Sequence, residues 1–125
     1  MRFSLDSDVN HYAITSYGPD WVRVGQQEFR RSVIVTPEQL VSDWPPQTFG
    51  DLVENHFEVI ASLEPEIVLL GTGSRQRFPR PSLFRSLLAC GVGVEVMDTA
   101  AACRTYNIIM LEGRRVAAAL LLLAD

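Results

Sequence analysis

Between Ile67 and Asn107 the chain reads as an apolar run, a glycine turn, a short helix and a second apolar run. The first run is Ile67-Val68-Leu69-Leu70 and the turn is Gly71-Thr72-Gly73-Ser74. An arginine-rich loop follows, then a helical stretch that starts at Pro81 or Ser82 and ends near Cys90. Gly91 is its stop, and Val92–Met97 comes next. Apolar runs with no polar alternation are strands covered on both faces, and a helix between two of them makes a βαβ unit. A right-handed crossover then puts the two strands side by side and parallel, under helices.

The flanking segments fill out the fold. Tyr12–Tyr17 alternates like a strand and stops at Gly18-Pro19-Asp20; Trp21–Val24 resumes, Gly25-Gln26-Gln27 interrupts, and Phe29–Val35 is a third β segment. The first 35 residues therefore predict a β-meander. Asp43-Trp44-Pro45-Pro46 is a rigid connector, since successive prolines hold the backbone extended. Thr48 with Asp51 three residues on predicts a helix N-cap, and Leu52, Val53, Phe57, Ile60 and Leu63 follow at helical spacing before Pro65. Leu83, Phe84, Leu87 and Leu88 form the inward face of the helix before Gly91. Asp98 or Thr99 caps a third helix to about Leu111, with Ala102, Tyr106, Ile109 and Met110 as its buried stripe. Arg115–Leu123 is a final strand. The prediction is an α/β fold: a three-layer α/β/α core with a mixed central sheet, plus an N-terminal β-meander layer. One domain spans residues 1–125, with 1–10 loosely ordered.

Composition narrows function by exclusion. The formal net charge of −4 lacks the basic footprint of a general nucleic-acid binder. All eleven basic residues are arginine, so a lysine Schiff base and a P-loop lysine are ruled out. Cys90 and Cys103 are too few for a disulfide framework or an all-protein zinc site, which fits a reducing compartment. The N-terminus has no signal-peptide apolar core, and Val116–Ala124 is about half of a membrane span. A cytoplasmic location without membrane insertion is expected.

The candidate site lies at the carboxyl ends of the predicted parallel strands, where ligands of open α/β sheets bind. Gly71, Thr72, Gly73 and Ser74 stand there, followed by Arg75, Arg77, Arg80 and Arg85. They read either as a strand-to-loop turn with solvated arginines or as a site for an anion or an acidic partner surface. Glu95 sits in the second strand, on the side opposite Val92, Val94 and Val96. Burial there demands a partner, and Arg104 is the candidate counter-charge. Asp98 reads as a cap, Cys103 as a small core residue and His56 as a packing residue on a helix border. No spacing of His, Cys, Asp or Glu suggests a metal site, no cofactor is implied, and no nucleophile–base pair designates a catalytic residue.

Several blocks resemble one family. They are Leu69–Gly73, Phe78-Pro79, the run Gly91–Thr99, Ala102-Cys103-Arg104-Thr105-Tyr106-Asn107 and Glu112–Leu120. They are similar to the Mth-type domain family of unknown function, and the specific part is Glu95-x-Met97-x-Thr99 followed by Thr105-Tyr106-Asn107. The family's relatives include a mitochondrial complex I assembly factor and an adipogenesis-associated cytoplasmic protein. The resemblance implies a three-layer fold with an extra β layer and brings no established activity, cofactor or catalytic residue.

The leading expectation is a non-catalytic protein-binding or assembly-factor-like module. Its edge would comprise Gly71–Ser74, Arg75, Arg77, Glu95, Asp98, Thr99, Arg104, Thr105, Tyr106 and Asn107. The alternative is a small enzyme or ligand-binding protein: an anionic compound at Gly71-Thr72-Gly73, clamped by Arg75 or Arg77, with Glu95 or Asp98 as acid or base. Self-association through Trp21, Trp44 and the meander is a third reading, with a monomer or homodimer as the state.

Overall fold

A computed structural model of the chain describes residues 11–123; the expectation for residues 1–10 lies outside them. Two sheets carry the architecture. A small antiparallel sheet has the order β1(Ile14–Gly18), β2(Trp21–Val24), β3(Gln27–Phe29). A five-stranded mixed sheet has the order β5-β4-β8-β6-β7, built from β4(Val33–Val35), β5(Leu40–Val41), β6(Ile67–Gly71), β7(Gly93–Met97) and β8(Val116–Leu120). β6 runs parallel to both β7 and β8, so the βαβ unit is present as the apolar runs predict. β4 pairs antiparallel with β8 and β5.

Each face of the large sheet has its own core. On one side Val68 and Leu70 of β6 pack with Phe57 and Ile60 of α1(Asn55–Ser62) and with Leu87 of α2(Arg85–Ala89). On the other side Leu69 packs with Ala102, Cys103 and Tyr106 of α3(Thr99–Leu111), and the small sheet adds Ile14, Val22, Val24 and Phe29. The central strand β8 is Val116-Ala117-Ala118-Ala119-Leu120, every residue buried. Ala118 faces the α3 core, and Ala117 and Ala119 face the α1–α2 core. Methyl side chains there let helices approach from both sides.

Several expectations are corrected. Phe29–Val35 is two strands, not one: Val33, Ile34 and Val35 are all buried, a demand the small sheet cannot meet, so β4 leaves the meander for the central sheet. The helix expected from Thr48 begins only at Asn55. Phe49–Asp51 is an isolated 3-10 turn, because the Asp51 carboxylate accepts the Gln47 and Thr48 N–H groups and Leu52 turns extended at φ −65°, ψ 128°. His56 Nδ1 then accepts the Val53 N–H at 3.1 Å, a local side-chain bond that starts the helix anew. Val53 is consequently exposed. Leu88 is exposed too, since α2 is too short to bury two faces. Trp44 is fully buried, with its ring edge-on to Phe57 and its Nε1–H donated to His56 C=O at 3.1 Å. It is a core residue and offers nothing to self-association.

Candidate functional site

β6 and β7 end side by side, and α3 starts against them. The Thr72 N–H, just past β6, bonds Met97 C=O at 2.9 Å, and Leu121 N–H bonds Gly71 C=O at 3.0 Å. Thr99 locks the next step. Its Oγ1 accepts the Gly73 N–H at 2.8 Å and donates to Leu121 C=O at 2.7 Å, and its own N–H bonds Gly73 C=O at 2.9 Å. A Cβ on Gly71 would lie 3.0 Å from Thr99 Cα, so glycine there is required by close approach of helix and strand. Gly73 takes φ +96°, a left-handed value that turns the chain out of the sheet.

The loop beyond is organised by Thr72. Its hydroxyl donates to Arg75 C=O at 2.7 Å and accepts the Arg77 N–H at 3.1 Å. Asp98 caps α3, its Oδ1 accepting the Ala101 N–H at 2.8 Å. Thr72, Gly73, Asp98 and Thr99 are therefore committed to bonds within the protein. Thr72 and Gly73, the expected anion-facing amides, have their N–H groups bonded inside the protein. Ser74 and Arg75 are exposed, Arg77 lies over the Phe49 ring at 4.2 Å, and Arg85 approaches Glu54 at 3.7 Å.

Glu95 is placed differently from expectation. β7 is an edge strand, so its middle residue is open to solvent and not trapped between helices. Arg104 does not pair with it: Arg104 Nη1 donates to Tyr17 Oη at 3.1 Å, a bond that pushes its pKa up further. Tyr106 and Asn107 serve the fold. Tyr106 O–H donates to Tyr12 C=O at 2.6 Å, with burial pushing the phenol up, and Asn107 holds the backbone of Ile14. Thr105 is half-buried on the same helix. Cys103 is buried, and desolvation pushes its thiol up to about 12, the opposite of an activated nucleophile. Among the described residues no group of three or more His, Cys, Asp and Glu could hold a metal ion.

Sequence reasoning missed the far wall of this rim. Tyr17, Gly18 and Pro19 of the β1–β2 turn face Gly73, Asp98 and Thr99 across a cleft of about 380 Å³. The Gly18-Pro19 pair is legible as a turn, but nothing local says what it faces. A second cavity of about 280 Å³ lies between residues that include Thr36, Leu63, Pro65, Met110 and Arg114.

The profile of a family described as protein of unknown function, DUF498/DUF598, matches residues 14–121. The chain belongs to the DUF498/DUF598 family. It is 40% identical over 85 residues to the Bos taurus protein named NADH dehydrogenase (ubiquinone) 1 alpha subcomplex assembly factor 3, covering 66% of this chain and 46% of that one. The chain thus spans about half the length of the curated relatives it matches. A crystal structure of a Bordetella parapertussis protein superposes with a TM-score of 0.86 at 45% identity, over 92% of this chain and 98% of that one. A solution structure from Bordetella pertussis, described as a Mth938-like domain, gives 0.84 at 36% identity, over 100% and 94%. These agree with the Mth-type resemblance and the three-layer expectation. The DUF498/DUF598 match spans both sheets and the rim, from β1 past the end of β8. Among the described residues no helix is long and apolar enough to cross a membrane.

Proposed function

We propose that this DUF498/DUF598 domain is a non-catalytic protein-binding module of the assembly-factor kind. It works in the cytoplasm, as a monomer or homodimer, through the rim at the carboxyl ends of β6 and β7. One observation carries the reading. The Thr72 and Thr99 hydroxyls and the Thr72 and Gly73 amides are used up in holding the loop and the helix start together, while Phe78 stands 73% exposed between the exposed Arg75 and Arg80. An aromatic flanked by arginines is the kind of anchor that protein interfaces favour. The printed name of the bovine relative, an assembly factor, supports the same class. The anion-clamp alternative wanted free amides at Thr72 and Gly73, and both have internal acceptors.

Quantitative affinity capture with the wild-type domain and the triple variant Arg75→Glu, Phe78→Ala, Arg80→Glu tests the reading. A protein held near stoichiometry by the wild type and lost by the folded variant is the expected result. Equal capture by both would sink the rim. A saturable thermal shift with a phosphorylated metabolite, abolished in Arg77→Ala, would favour the small-ligand alternative instead.

A further inference from the structure

β7 closes one side of the central sheet, with β6 on its inner side and, among the described residues, no strand on its outer side. In a parallel pair, alternate residues turn their N–H and C=O groups toward the neighbouring strand. Thr72 N–H bonds Met97 C=O, so Gly93, Glu95 and Met97 face β6, and Val94 and Val96 face outward. The side chain of Gln76 fits this phase: from outside the sheet its Nε2 donates to Val96 C=O at 2.8 Å, as a neighbouring strand would. Among the described residues, Val94 N–H, Val94 C=O and Val96 N–H have no such partner.

The other edges differ. β5 is two residues long and β3 three, and the outer groups of Ile14 in β1 are taken by Asn107. β7 has five residues in unbroken register with β6, and it has none of the prolines or bulges that blunt an exposed edge. Charge selects what fits against it. Glu95 is exposed at the middle of the strand, so a second β7 aligned antiparallel on that residue would set Glu95 against Glu95. A cation is the complement. The loop at the strand's carboxyl end carries Arg75 and Arg80, whose complement is an acid.

We propose that β7 accepts an extended segment of a partner protein as a sixth strand. The segment has a central Arg or Lys beside Glu95, apolar neighbours beside Val94 and Val96, and an acidic residue at the end near the Gln76–Arg80 loop. The proposal rests on the protein-binding reading above and names the partner's chemistry. Main-chain bonds supply the affinity and the alternating side chains the specificity.

Random seven-residue peptides displayed against the folded domain are the probe. Those retained are expected to alternate apolar-basic-apolar. A synthetic copy is expected to bind Val94→Pro at least about tenfold more weakly, because that change removes an outward N–H and leaves the β6 ladder whole. Glu95→Lys, a surface change that keeps the fold, is expected to move the selected central residue from basic to acidic. It carries the test if Val94→Pro fails to fold. No enriched peptide, no alternation, or indifference to both substitutions overturns the proposal. A concentration-dependent doubling of mass that Val94→Pro abolishes also overturns it, in favour of a second copy. Rim capture with unchanged affinity in Val94→Pro would leave the protein-binding reading standing and remove the edge from it.

Discussion

The side-chain amide of Asn107 brackets the backbone of Ile14. Its Oδ1 accepts the Ile14 N–H at 3.0 Å and its Nδ2 donates to the Ile14 C=O at 2.7 Å. One side chain on α3 thereby does for the outer edge of β1 what another strand would do. With the Tyr106 hydroxyl on Tyr12 C=O, it pins the small sheet to the helix.

Asn107→Ala leaves both polar groups of Ile14 unpartnered by protein, so a loss of roughly 1–3 kcal/mol is expected. Asn107→Asp does not rescue it, because an anionic oxygen then faces the Ile14 carbonyl. The midpoint of urea denaturation measures both. Midpoints equal to wild type would show that the bracket adds nothing.

Thr99 holds two buried backbone groups with one hydroxyl. Thr99→Val keeps the shape and loses both bonds, so it should cost more than Thr99→Ser, which keeps the hydroxyl and sheds a methyl of about 0.8 kcal/mol. The order of the two denaturation midpoints decides the matter; Val above Ser would refute it.

Stability should fall in acid in two stages. Partial burial lowers the pKa of His56, and its Nδ1 accepts a backbone N–H that protonation would displace. The unfolded chain then binds the proton more readily, so stability declines as pH drops below the ordinary histidine value of about 6.5. Asp51 and Glu66 are held low by backbone N–H bonds, from Thr48 and Gln47 and from Arg115 respectively. Their contribution is complete above ordinary carboxylate values and is lost as pH falls through the lower folded ones. Melting temperatures across pH 3–8 read both stages, and His56→Ala should erase the upper one.

The two thiols should differ sharply toward alkylation. Cys90 is exposed, whereas Cys103 is buried with its thiol pushed up to about 12. Iodoacetamide at neutral pH is expected to label Cys90 alone in the native protein and both in denaturant. Native labelling of Cys103 would contradict the burial.

What was legible follows from the range of each interaction. The apolar runs Ile67–Leu70 and Val92–Met97, the glycine stop at Gly91 and the Asp98 cap are local signals, and all hold. The outer position of β7 is not local. Glu95 looks the same in a central strand and at an edge until the strand order is known. Likewise, the Thr105-Tyr106-Asn107 stretch gives no local sign that Tyr106 and Asn107 bond Tyr12 and Ile14 from far along the chain. The late start of α1 depends on Asp51 and His56 bonding nearby backbone, a competition that hydrophobic spacing does not register.

The three alanines of β8 put the smallest side chains on the central strand of the large sheet, buried on both faces. A larger residue at any one of them wedges that face of the sheet away from its covering layer. Tolerance for mutation should thus increase outward from β8, toward exposed positions such as Ser74 and Arg75 in the loop and Glu95 on the outer strand.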